Sequence, residues 1–366
     1  MFLIKSRIIL GVIVLLTLCF SASADTMFPR ALFVSVLQDP QVLSSEAEMD
    51  QLIDFSKRAR IKILFVQIYR SNQAWFPSKV ADPSPYERCF KSLGQDPVAL
   101  LITKAHAQGI EVHAWLNLLS LSANKDANFI KKYGNEVLTR NSHRKRTFED
   151  YKIDNQYFLE PGDPRVREDL AKIVKEIVGT YNDLDGIQFD YIRYPDVKPQ
   201  YGYTEINMER FKKATGIKRI DEKDLRWKDW KRDQVTDLLR LLVKTARAAH
   251  PGIHVSATGC MPYSRAYHEA FQDWSSWLDR GLVEFVTMMN YSDDPAEFAK
   301  LNEGMRTRVT DFKKVKIAVG AYKFLKAPEL FLEEFRSCEQ TGNTCAVFHY
   351  GSLLDNHLLA DIVAAP

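Results

Sequence analysis

Eight short apolar runs, rich in β-branched and aromatic residues, alternate with helix-forming stretches along this chain. They cover residues 31–36, 63–69, 111–117, 186–192, 253–259, 285–291, 316–322 and 344–350. Strands separated by helices pair in parallel, because each helix carries the chain back across the sheet. The clearest helix is predicted over 230–249, where Leu238, Leu239, Leu242, Val243 and Ala246 share one face. His250-Pro251-Gly252 stops it. Asp163 and Pro164 supply an N-cap and a first helical residue for a helix over 164–180. Gly109 closes a helix that begins at Pro97, and Gly281 closes one predicted from about Tyr267. Eight such units in a chain of this length predict an α/β fold, a (β/α)8 TIM barrel. Long βα loops over 70–95, 118–158 and 194–228 follow strands two, three and four. A doubly wound open sheet is the alternative, and the chain lacks the G-x-G-x-x-G fingerprint that would support it.

The amino terminus carries a different signal. Lys5 and Arg7 precede an apolar run over 8–20, and Ala22-Ser23-Ala24 follows. This order predicts an export signal over 1–24, leaving a single barrel over 25–366 in the periplasm or outside the cell. The run is shorter than the ~20 residues of a spanning helix, so no stable membrane insertion is expected once the signal is removed. Without residues 1–24 the formal net charge falls from +3 to +1, since that segment holds two bases and no acid. Such a balance gives no reason to expect a nucleic-acid partner. Cys89, Cys260, Cys338 and Cys345 form no metal-ligand spacing, and no cofactor or metal is expected. Cys338 and Cys345 straddle a turn and could pair in an oxidising compartment.

Side chains on a strand alternate between two faces, and in a barrel one face points inward. On strand two, Gln67 and Tyr69 oppose the aliphatic set Leu64, Val66 and Ile68. On strand three, His113, Trp115 and Asn117 oppose Val112, Ala114 and Leu116. Gln188 and Asp190 oppose Ile187 and Phe189 on strand four. Strands six to eight offer Asn290, Tyr322 and His349, with Tyr191, Arg193 and Tyr291 at strand ends. Barrel interiors are usually filled by branched aliphatics, so this polar and aromatic set predicts a binding site. Amides and imidazoles suit sugar hydroxyls, and indole and phenol rings suit the apolar face of a sugar ring. The expected partner is therefore a carbohydrate.

Asp190, in Gly186-Ile187-Gln188-Phe189-Asp190-Tyr191, is the leading catalytic candidate. A carboxylate on the inward side of a strand end is costly unless it is paired or functional. Glycoside hydrolysis uses two carboxylates. Glu160, before Pro161-Gly162, and Asp293, after strand six, are the candidates for the second. The competing function is a sugar-binding barrel without turnover. A lyase or deacetylase on the same scaffold is a weaker third.

At several of these positions the chain resembles the glycosyl-hydrolase-like family 10 barrels. The likeness runs from about Arg30 to Tyr350 and is carried by Phe65-Val66-Gln67-Ile68-Tyr69, His113-Ala114-Trp115-Leu116-Asn117, Pro161-Gly162-Asp163-Pro164-Arg165 and the run from Asp185 to Pro195. Asp273-Trp274 and Asn290-Tyr291 continue it. The resemblance implies an exported hydrolase acting on polysaccharide or on peptidoglycan glycan strands, with Asp190 as its catalytic carboxylate.

Overall fold

A strand can lie parallel to its successor only if the link between them returns to the same end of the sheet, and a helix does this while pairing its own backbone N–H and C=O groups. In the computed structural model, which describes residues 29–142, 147–195 and 200–365, this unit recurs eight times. The barrel strands are β1 (Arg30–Val34), β2 (Ile61–Arg70), β3 (Glu111–Asn117), β4 (Gly186–Asp190), β5 (His254–Cys260), β6 (Phe285–Asn290), β7 (Val315–Gly320) and β8 (Cys345–Phe348). Each pairs in parallel with the next, and β1 pairs with both β2 and β8, so the sheet closes. The chain is a (β/α)8 barrel.

The helices that return the chain are α1 (Glu46–Arg58), α2 (Pro97–His106), α3 (Pro164–Thr180), α4 (Leu225–Ala249), α5 (Trp274–Asp279), α6 (Pro295–Arg306), α7 (Pro328–Gln340) and α8 (His357–Ala364). Asp163 caps α3 through the Arg165 amide, and α3 has the bounds its sequence signals predict. Helix α4 begins five residues earlier than its apolar stripe suggests, capped by Asp224. The helix predicted from Tyr267 to Gly281 is instead two pieces. Phe271 takes a left-handed backbone (φ 52°) and Asp273 caps a new start at Trp274. Cys338 on α7 and Cys345 on β8 are disulfide-bonded, which resolves the pairing left open by their spacing.

Side-chain alternation separates two cores. Ala31, Phe33, Ile63, Phe65, Trp115, Phe285, Ala318 and Ala346 pack inside the barrel. Leu64, Val66, Ile68, Val112, Ala114, Leu116, Ile187 and Phe189 pack outward against the helices. Gly186 is required by the interior, because a Cβ there would lie 2.2 Å from His113 Nδ1. The three long loops are built out on the rim that holds the strand C-termini. They contain a helix at Ser84–Leu93, a two-stranded sheet of Ser120–Ser122 and Tyr157–Phe158, and a helix at Glu205–Thr215.

The export signal over 1–24 and the basic run His143-Arg144-Lys145-Arg146 lie outside the described residues. No helix among the described residues is long and apolar enough to cross a membrane.

Candidate active site

Asp190 is the last residue of β4, on the inward face. The strand ends there because Tyr191 adopts φ 51°, a left-handed conformation that side-chain-bearing residues rarely take. That turn brings the Tyr191 amide back onto the carboxylate, and the N–H donates to Asp190 Oδ1 at 2.7 Å. Thr258 on β5 donates its hydroxyl to the same oxygen at 2.6 Å. Trp115 on β3 donates Nε1–H to Oδ2 at 2.9 Å. Three donors from three adjacent segments thus fix the carboxyl group in one orientation, as a reacting group requires. Arg193, three residues on, places its guanidinium 4.8 Å from the centre of the Tyr191 ring.

Above this carboxyl group opens a cleft of about 760 Å³ at the C-terminal end of the barrel. Of the predicted binding residues, Trp115, Asn117, Tyr191, Arg193, Asn290, Tyr291, Tyr322 and His349 line it together with Asp190. Trp115 is held edge-on by Phe33 and Phe348, with ring centres 5.1 and 5.8 Å away. Tyr291 packs on Phe348 and Tyr322, giving the wall aromatic faces. Burial, and then the Asp190 charge, raise the Tyr291 phenol well above its usual pKa, so it keeps its proton beside the carboxylate. Burial lowers the His349 imidazole, which favours its neutral form. Sequence reasoning missed Arg70, Arg265, Glu297 and Lys323, all in the lining. Their common signal is position, since each lies at the end of β2 or within a few residues after β5, β6 or β7.

The fold places the remaining predicted residues elsewhere. Tyr69 points away from the interior, because β2 slips register between Gln67 and Tyr69: Gln67 pairs with Trp115 but Tyr69 pairs with Leu116. The extra residue reverses the alternation, as a β-bulge does. Its phenol accepts from Asn72 in the outer core. Gln67 does face inward, one layer beneath the cleft, where its amide donates to Asn117 Oδ1 at 3.1 Å. Gln188 also lies below, accepting from Thr287 at 2.9 Å and Ser256 at 3.3 Å. His113 sits deeper still, against Glu111 at the strand's start, and burial lowers its pKa. Asn290 reaches the lining from the outward side of β6, with its amide committed to Asn302 and the Phe298 carbonyl on α6.

Neither proposed second carboxylate stands in the cleft wall. Glu160 is fully buried, accepting from Thr139 (2.9 Å), the Gly162 amide (3.1 Å) and the Tyr194 hydroxyl. Burial raises its pKa. It anchors a loop and does not face the opening. Asp293 is exposed on the rim, its carboxylate 3.9 Å from Lys323 Nζ. Glu297, in the first turn of α6, is the other carboxylate among the described lining residues. Among the described residues, no group of three or more His, Cys, Asp or Glu side chains could hold a metal ion.

A closed parallel barrel with a site at its C-terminal end hosts many unrelated chemistries, so the comparison with known sequences narrows the choice. The profile of the glycosyl hydrolase-like 10 family matches residues 30–329. The chain belongs to this family. Two relatives are named glycosyl hydrolases: DigH of Escherichia coli K12 is 25% identical over 267 residues, and YngK of Bacillus subtilis 168 is 25% identical over 274. Each alignment covers 68% of this chain, but only 58% of DigH and 50% of YngK, so the chain spans about half the length of these relatives. Among solved structures, the glycoside hydrolase domain of PgaB from Bordetella bronchiseptica superposes with a TM-score of 0.68 at 14% identity, covering 93% of this chain and 99% of that one. An α-L-fucosidase from Paenibacillus thiaminolyticus gives 0.64 at 15% identity, covering 93% of this chain and 49% of that one. These superpositions establish the barrel. For this glycosyl hydrolase-like 10 protein, the chemistry rests on its own cleft.

Proposed function

We propose that the protein is an exported glycoside hydrolase that cleaves a polysaccharide or the glycan strands of the cell wall, with Asp190 as its central carboxylate. The observation that carries this reading is the carboxyl group of Asp190, held by Trp115, Thr258 and the Tyr191 amide on the floor of an aromatic-walled cleft. Both of its oxygens accept hydrogen bonds, which suits a group that offers electrons to an oxocarbenium-like sugar as nucleophile or electrostatic partner. Glu297, the other carboxylate in the lining, is assigned the second role in place of Glu160 and Asp293. Tyr191, Tyr291 and Tyr322 would stack on sugar rings, and Asn117 and His349 would bond hydroxyls.

Export is part of the same proposal. The sequence of residues 1–24 supports it, and so does the Cys338–Cys345 disulfide, which persists in oxidising compartments. The names of DigH and YngK agree with hydrolysis.

The test is incubation of the protein with denuded cell-wall glycan strands and a panel of polysaccharides, counting new reducing ends. Release by the wild type, lost in Asp190→Asn and strongly reduced in Glu297→Gln, is the expected result. Retained binding without release from any substrate would instead make the protein a sugar-binding barrel.

A further inference from the structure

A second groove, of about 350 Å³, adjoins the cleft and shares two of its wall residues, Met261 and Leu301. It runs between the segment after β5 and helix α6, over Pro262, Tyr263, Gly304 and Met305. The ring donors along its floor are already engaged. The Tyr263 hydroxyl donates to Asp273 at 2.7 Å. The Trp274 indole beneath donates to the Cys260 carbonyl at 3.2 Å. Lys300, on the edge, is paired with Glu297 at 3.0 Å. Only the exposed Lys300 ammonium at the edge keeps donors to spare, so a sugar ring seated deeper in the groove would bury hydroxyls against apolar atoms without partners, which is unfavourable. An alkyl chain has no such requirement, and two methionines give a wall that adapts to its shape.

We propose that this groove receives an aliphatic acyl or alkyl chain carried by the glycan, so that the substrate is a saccharide with an apolar substituent next to the bond that is cleaved. This rests on the glycosidase reading for its second half, because the shared wall is what joins chain and sugar on one molecule. Met261 and Leu301 set the order: the sugar lies over Asp190 and the chain leaves across them toward Met305.

Gly304 offers a clean test. It is exposed on α6, and a Cβ added there meets nothing within 4 Å, so larger side chains enter the groove without displacing the fold. The measurement is displacement of the fluorescent probe N-phenyl-1-naphthylamine by hexyl, octyl and decyl β-glucoside, each below its micelle concentration, from the full chain carrying Asp190→Asn. Affinity is expected to rise about fourfold for each added methylene. Adding Gly304→Trp is expected to abolish that dependence, and adding Gly304→Leu to weaken it, with unchanged circular dichroism. Equal affinity for all three chain lengths would overturn the proposal, and so would a correctly folded Gly304→Trp protein that binds as its parent does. Chain-length dependence in a protein that hydrolyses nothing would leave the groove assigned and remove only the glycosidase reading.

Discussion

Asp190 has meaning through the groups that orient it. Trp115 contributes one donor to its carboxylate and little else that phenylalanine could not supply, since its ring also packs between Phe33 and Phe348. Trp115→Phe should therefore keep the fold and lower kcat/KM by about 10- to 100-fold, the usual cost of losing one oriented donor. An unchanged kcat/KM would show that the indole only packs. Glu160 makes the opposite case. Its three donors are all buried, so Glu160→Ala should cost about 2–4 kcal/mol in urea unfolding, well beyond the effect of Asp190→Asn. The sequence showed Asp190 because strand alternation puts it inside and the strand end puts it at the rim. It could not show that Glu160 is sealed, because the sealing residues Thr139 and Tyr194 come from distant loops. Tyr69 was misread for a local reason: one extra residue in β2 reverses the face, and nothing in an apolar run marks a bulge.

At the level of elements, α7 carries two testable devices. Its disulfide to β8 closes a short loop, and Cys338→Ala with Cys345→Ala should lower stability by about 2 kcal/mol. The check is thermal unfolding with and without reductant, which should coincide in the double variant and differ in the wild type. Glu334, also on α7, is buried with neither carboxylate oxygen hydrogen-bonded among the described residues. Burial, and then the charges of Asp293 and Asp294, push its pKa up to about 8. A raised carboxylate keeps its proton in the folded state after the unfolded chain has released it. The stability it allows is complete below the usual value of 4.5 and is lost as pH rises toward 8. Glu334→Gln should remove this slope and leave the protein about 1–3 kcal/mol more stable than wild type at pH 8, with little difference at pH 4.5. Matching pH profiles for the two proteins would contradict the assignment. Element boundaries were legible where caps mark them, as Asp163-Pro164 marks α3. They were not where a single backbone conformation intervenes, as at Phe271 before α5.

For the whole molecule, the repeat of strand and helix made the barrel readable, because eight returning units have one closed solution. The cleft was half readable. Inward positions near strand ends were found by alternation, whereas Arg70, beyond the bulge in β2, and Arg265, Glu297 and Lys323, past the ends of β5, β6 and β7, lie outside the reach of the strand period. The claim on which the account depends is that water is added across a glycosidic bond at Asp190. The most direct measurement is mass spectrometry of the products formed from glycan strands in water enriched in oxygen-18. The account predicts one heavy oxygen at each new reducing end with the wild type and no product with Asp190→Asn. Unsaturated ends without the label, release of acetate alone, or equal turnover by Asp190→Asn would contradict it.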